Sequence, residues 1–192
     1  MGDDADALAD ALAADLRDVR PRRTPDAGYP DALDLDLRTG GVCYVDRYAD
    51  DLRGLAARIP ALRDLGLTHL QITPVAERAD DADDDALLAP GVRVRAGLGS
   101  AADLAALADA LHDAGLTLAV DLSPSDADAS PAERIRGAVR EAVALAAVGA
   151  DVVRMDPAAV IGERPDADRS ALLRVVAALG RRLSPALALA VA

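Results

Sequence analysis

The chain has 192 residues, 52% of them hydrophobic, and a formal net charge of −12. It lacks Lys, Asn, Phe and Trp, and it carries three Tyr and one Cys. The acidity disfavours nucleic-acid partners, the single Cys43 excludes an intrachain disulfide, and the lack of rings predicts an aliphatic core.

A length in this range suits one domain with a short extension. The first residues, MGDDADALADALAADL, are acidic and lack the basic start of a secretory signal. No run of about 18 apolar residues reads as membrane-spanning. A chain with one cysteine and no leader is expected in the cytoplasm.

Ala and Leu alternate with Asp at helical spacing over 3–18, which predicts an N-terminal helix. Residues 19–40 hold Pro21, Pro25, Pro30 and the Gly40-Gly41 pair, and read as a loop. The first 39 residues therefore form a helix and a Pro/Gly-rich loop, and 40–192 form the main domain. GVCYVDRY (41–48) reads as a strand. An amphipathic helix follows over 50–66, with Pro60 as a kink and Gly66 as its stop. LTHLQITP (67–74) is a strand, and 75–99 is a long connection. A helix with Ser100 as N-cap runs to Gly115, and LTLAVDL (116–122) is a strand. A further helix over 130–149 has Ser130 as N-cap and Pro131 at its first position. ADVVRMD (150–156) is a strand, 168–183 a helix, and PALALAVA (185–192) a last strand.

Two connections share the phrase D-x-G-L-T, at 64–68 and 113–117, and GADVV does the same work a third time. Repeated βα units with short returns predict parallel strands joined by right-handed crossovers. The fold class is thus α/β. About five parallel strands with flanking helices form part of a TIM-type barrel, whose full form typically takes about 250 residues. The outer strands would leave open sheet edges, which predicts a capacity for self-association.

The strand over 150–156 ends in Arg154-Met155-Asp156. Alternation places Arg154 and Asp156 on one side of the strand, at the end where β/α barrels carry their chemistry. An Arg–Asp pair that merely caps a strand is the plainer alternative.

Three blocks carry a resemblance: 40–74, 98–122 and 142–163. In that order they resemble the first half of the catalytic barrel of glycoside hydrolase family 13, the α-amylase family, and within it the amylosucrases. That resemblance implies a retaining mechanism with two carboxylates about 5 Å apart, no cofactor and a carbohydrate partner, sucrose or an α-glucan. It puts the nucleophile on Asp156 and the arginine that holds it ionised on Arg154. It matches Asp121 to the acid of the third-strand motif, but the motif's Asn and His fall on Ser125 and Asp126. The family's Asp-Gly-Gly-Tyr falls on Asp83 to Ala86 and keeps only Asp83, so Asp121 and Asp83 are the expected substrate-binding residues. The general acid/base would be a Glu at the end of the fifth strand, and no Glu follows Glu163.

The resemblance therefore implies a carbohydrate-active domain of degenerate site and impaired catalysis, a pseudoenzyme. An active retaining α-glucosidase or glucosyltransferase acting through Asp156 is the alternative. A second alternative is an unrelated barrel enzyme holding a divalent metal on Asp46, Asp121 and Asp156. No zinc-ligand spacing or phosphate-binding glycine loop occurs, so no metal or cofactor is expected. His69 and His112 read as structural.

Overall fold

The computed structural model describes residues 39–78, 87–89, 92–123, 129–156 and 188–191. The expected helices over 3–18 and 168–183 lie outside them.

Five strands form a parallel sheet: β1 (Gly40–Cys43), β2 (His69–Ile72), β6 (Thr117–Asp121), β7 (Val152–Met155) and β8 (Ala188–Val191), in that spatial order. Each neighbouring pair is parallel. Strands that follow in sequence around the parallel sheet lie side by side, as the βα rhythm requires.

Sequence alternation sorts the two faces. Leu70, Ile72, Leu118, Val120, Val153 and Met155 are buried in one cluster with Leu52, Leu55, Leu104, Leu107 and Leu111 from the helices. The residues between them, Gln71, Asp121 and Arg154, share the opposite face. The core is aliphatic, as the composition predicts.

The first strand is shorter than the sequence suggests. Its candidate range of 41–48 divides into β1 and a helical turn, α1 (Val45–Tyr48). The turn places Val45 and Ala49 four residues apart, both buried at 1% and 5% exposure. An extended chain would have pointed them in the same direction only by turning Arg47 inward with them.

The helix expected over 50–66 is two: α2 (Leu52–Ala57) and α3 (Ile59–Asp64). Asp51 caps α2 by accepting from the Gly54 amide at 2.6 Å. Pro60 lies in the first turn of α3, where its missing N–H costs nothing, and so marks the break.

The repeated Gly phrase is a helix stop. After α3, Gly66 N–H donates to Arg63 O and Leu67 N–H to Leu62 O. The same pair of bonds recurs at Gly115 and Leu116 after α4 (Ala101–Asp113), and at Gly149 and Ala150 after α5 (Pro131–Ala147). This is the Schellman closure, and the glycine after each helix has positive φ. Both long helices begin with a capping box, Ser100 with Asp103 and Ser130 with Glu133.

The connection after β2 is not simply a loop. Its described parts form a second sheet of β3 (Ala76–Arg78), β4 (Leu87–Ala89) and β5 (Val92–Val94), with β5 antiparallel to both others. Val92 and Val94 are buried, while Arg93 between them pairs with Glu77 at 2.8 Å. Three-residue strands carry too little alternation to be read from sequence, and packing against α5 supplies what periodicity does not.

Candidate functional site

The C-terminal ends of β2, β6 and β7 bring Gln71, Asp121, Arg154 and Asp156 to one end of the parallel sheet. Strand register makes Asp121 the direct neighbour of Arg154. Gln71 lies one strand away and reaches Asp121 with its side-chain amide, Nε2 to Oδ1 at 2.9 Å and to Oδ2 at 3.1 Å. Arg154 Nη1 stands 3.9 Å from Asp121 Oδ1. The strand ends are closed by backbone bonds: Leu122 N–H donates to Arg154 O at 2.9 Å, and Thr73 N–H to Cys43 O at 3.1 Å.

Asp156 is exposed and is the first residue past β7. Arg154, on the same side of the strand, is half-exposed and pairs with Asp121. The site therefore centres on a guanidinium between strands, with one acid held in a network beside it and a second acid at the open strand end. Such an arrangement can hold a hydroxylated ligand by charge-assisted hydrogen bonds.

Asp83, Ser125 and Asp126 lie outside the described residues. Asp46 is half-exposed and pairs with Arg95 at 3.4 Å. Among the described residues no group of three or more His, Cys, Asp or Glu could hold a metal ion. Cys43 is buried, and burial first, then the Asp46 charge, push its thiol pKa up, which makes it an unreactive neighbour of the site.

The two histidines lie at the other end of the sheet. His69 opens β2 and bonds through Nδ1 to Thr117 Oγ1 at 2.8 Å. His112, near the end of α4, bonds through Nε2 to Asp151 Oδ2 at 2.8 Å, and the same oxygen accepts from Leu118 N–H at 2.8 Å. Both serve the scaffold.

Sequence reasoning missed Gln71 as a site residue. Its signal was present in QITP at the end of the second strand, but only the register with β6 gives it a partner. It also missed Glu141, a buried acid on α5 that accepts from the Ser123 backbone N–H at 2.8 Å just beyond Asp121.

No family model matches the chain. It is 42% identical over 69 residues to the 1,4-alpha-glucan branching enzyme GlgB of Thiobacillus denitrificans, a stretch that spans 36% of this chain and 9% of that enzyme. Among solved structures, a Salmonella typhimurium protein assigned as an alpha amylase covers 86% of this chain with 34% of its own length, at a TM-score of 0.58 and 15% identity. Isomaltulose synthase from Erwinia rhapontici NX5 overlaps over a shorter stretch, 44% of this chain and 16% of that chain, at a TM-score of 0.34 and 19% identity. The chain is thus similar in sequence, over one block, to a glucan branching enzyme and in fold, over most of its length, to a protein named as an alpha amylase, and nothing in these matches singles out the amylosucrases.

Proposed function

We propose that the chain is a carbohydrate-active domain of the α-amylase type, with an α-glucoside or sucrose as its ligand and with impaired catalysis. The observation that supports this most is the meeting of Gln71, Asp121 and Arg154 beside Asp156 at the C-terminal strand ends. A barrel scaffold retained with its acid and guanidinium in place can still hold sugar hydroxyls, since fold and activity are separable.

Two positions within the chain support impairment. Asp126 stands where the resemblance calls for a His, and a carboxylate cannot donate to a sugar hydroxyl at neutral pH. Ser125 stands where it calls for an Asn. Neither change removes Asp121, Arg154 or Asp156, so sugar contacts can outlast turnover. An amylosucrase-like preference for sucrose is the finer form of the proposal.

The test is incubation with sucrose and with a chromogenic α-glucoside while glucose and fructose release are followed. Sugar-dependent thermal stabilisation without turnover is expected. Turnover that Asp156→Asn abolishes would establish the active retaining enzyme instead. Stabilisation by divalent metal with no sugar effect would favour the metal-dependent reading.

A further inference from the structure

Glu141 lies on the inner side of α5 and is 8% exposed. Its Oε1 is 2.8 Å from Ser123 N and 2.8 Å from Ser123 Oγ. Ser123 Oγ is in turn 2.6 Å from the Ala76 carbonyl oxygen. Three elements thus meet at one hydroxyl: α5, the segment leaving β6, and the start of β3.

The protons at this junction can be counted. A serine hydroxyl has one proton, and Ala76 O can only accept. If Ser123 donates to Ala76 O, its contact with Glu141 is a hydrogen bond only when Oε1 carries a proton and donates to Oγ. Ionised Glu141 would leave one of the two short oxygen contacts with no proton between them. Oε1 can still accept from the Ser123 amide while donating to Oγ, so the neutral acid satisfies every contact.

We propose that Glu141 is a proton-carrying latch, whose neutral form fastens the end of β6, two residues past Asp121, to α5 and to the antiparallel excursion.

The surroundings agree. Among the described residues, the elements packed most closely against α5 are β4, β5 and β7. β4 has no charged residue, Arg93 of β5 is engaged by Glu77, and Arg154 of β7 stands beside Asp121. On β6, Asp121 is held by Gln71, and on β3 Glu77 is held by Arg93. On α5 itself, Arg134 lies two turns before Glu141 and gives its Nε to Ala129 O at 2.9 Å, and Arg140 is exposed. Burial is the main influence on the Glu141 carboxyl and raises its pKa above 4.5, opposed by the Ser123 backbone N–H, and by the Ser123 hydroxyl only where that hydroxyl donates to the carboxylate instead of to Ala76 O. A raised folded value has a definite sign. The latch is fully closed below the ordinary glutamate value and is lost as pH rises through the folded one.

The test compares thermal unfolding of the unmodified chain and Glu141→Gln from acid to mildly alkaline pH. Glutamine stays neutral, so its Tm should gain on the wild type as pH rises, and the gain should level off once Glu141 is ionised. A Tm difference that does not change with pH, or one that turns against glutamine as pH rises, overturns the proposal. If the variant does not fold, the carboxyl carbons of the four glutamates are titrated by NMR in the unmodified chain. A Glu141 midpoint above 4.5 is expected, and one at or below it overturns the latch.

Discussion

Gln71 donates to both carboxylate oxygens of Asp121, at 2.9 and 3.1 Å, across the junction of two neighbouring parallel strands. The amide fixes the acid's orientation without cancelling its charge. Asp121 is therefore presented as a fixed anion beside Arg154, and the strand end is built around it rather than around Asp156 alone.

Gln71→Leu should remove that clamp while keeping the strand. Asp121 is only 21% exposed, and a half-buried acid that loses its donor costs about 1–3 kcal/mol. Urea unfolding should show a loss in that range, together with weaker stabilisation by sugar. An unchanged midpoint would show that the clamp does not hold the acid.

Asp103 gives the clearest acid response. Its hydrogen bond to Arg53, then those to Ser100, lower its pKa to about 2. A depressed carboxylate stabilises the fold above its unfolded value of 3.8 and loses that contribution as pH falls through 2. Asp103→Asn should flatten the stability profile between those two pH values, measured by circular dichroism. Arg53 is 78% exposed, so added salt should weaken the same effect.

His112, Asp151 and Leu118 form a three-way tie beneath the sheet, with one carboxylate oxygen accepting from both donors. Asp151→Ala strands a His side chain that is only 6% exposed and a backbone N–H, and should cost about 2–4 kcal/mol by denaturant unfolding. A loss below about 0.5 kcal/mol would mean that water replaces the acid without penalty.

The proposed self-association places contact on the sheet edges, with β1 and β8 outermost in the parallel sheet. Val42 on β1 is 65% exposed. Sedimentation velocity should show an associated species that Val42→Lys disperses, because edge lysines oppose strand pairing. A single monomeric boundary in the wild type would rule the association out.

The long-range order of the sheet was legible because each βα unit announces itself. Ser100 and Ser130 open helices, Gly66, Gly115 and Gly149 close them, and β-branched runs follow. Val45–Tyr48 was not legible as a helix, because four residues that follow Tyr44 and end in Tyr48, both compatible with a strand, carry no 3.6-residue period. The antiparallel excursion was hidden for the same reason. At the site, Asp121, Arg154 and Asp156 could be found from their places at strand ends. The groups that brace these strand ends could not, because Gln71 lies 50 residues from Asp121 and Glu141 lies 18 residues from Ser123, and only register and helix packing bring them there.

The strand ends around Asp121, Arg154 and Asp156 are proposed to hold an α-glucoside or sucrose without turning it over efficiently. Thermal unfolding with and without sucrose and maltooligosaccharides, with sugar release followed in the same samples, tests it most directly. A sugar-dependent rise in Tm that Asp121→Ala abolishes is expected, with release at background and unaffected by Asp156→Asn. No rise with any sugar, or release that Asp156→Asn abolishes, would contradict it.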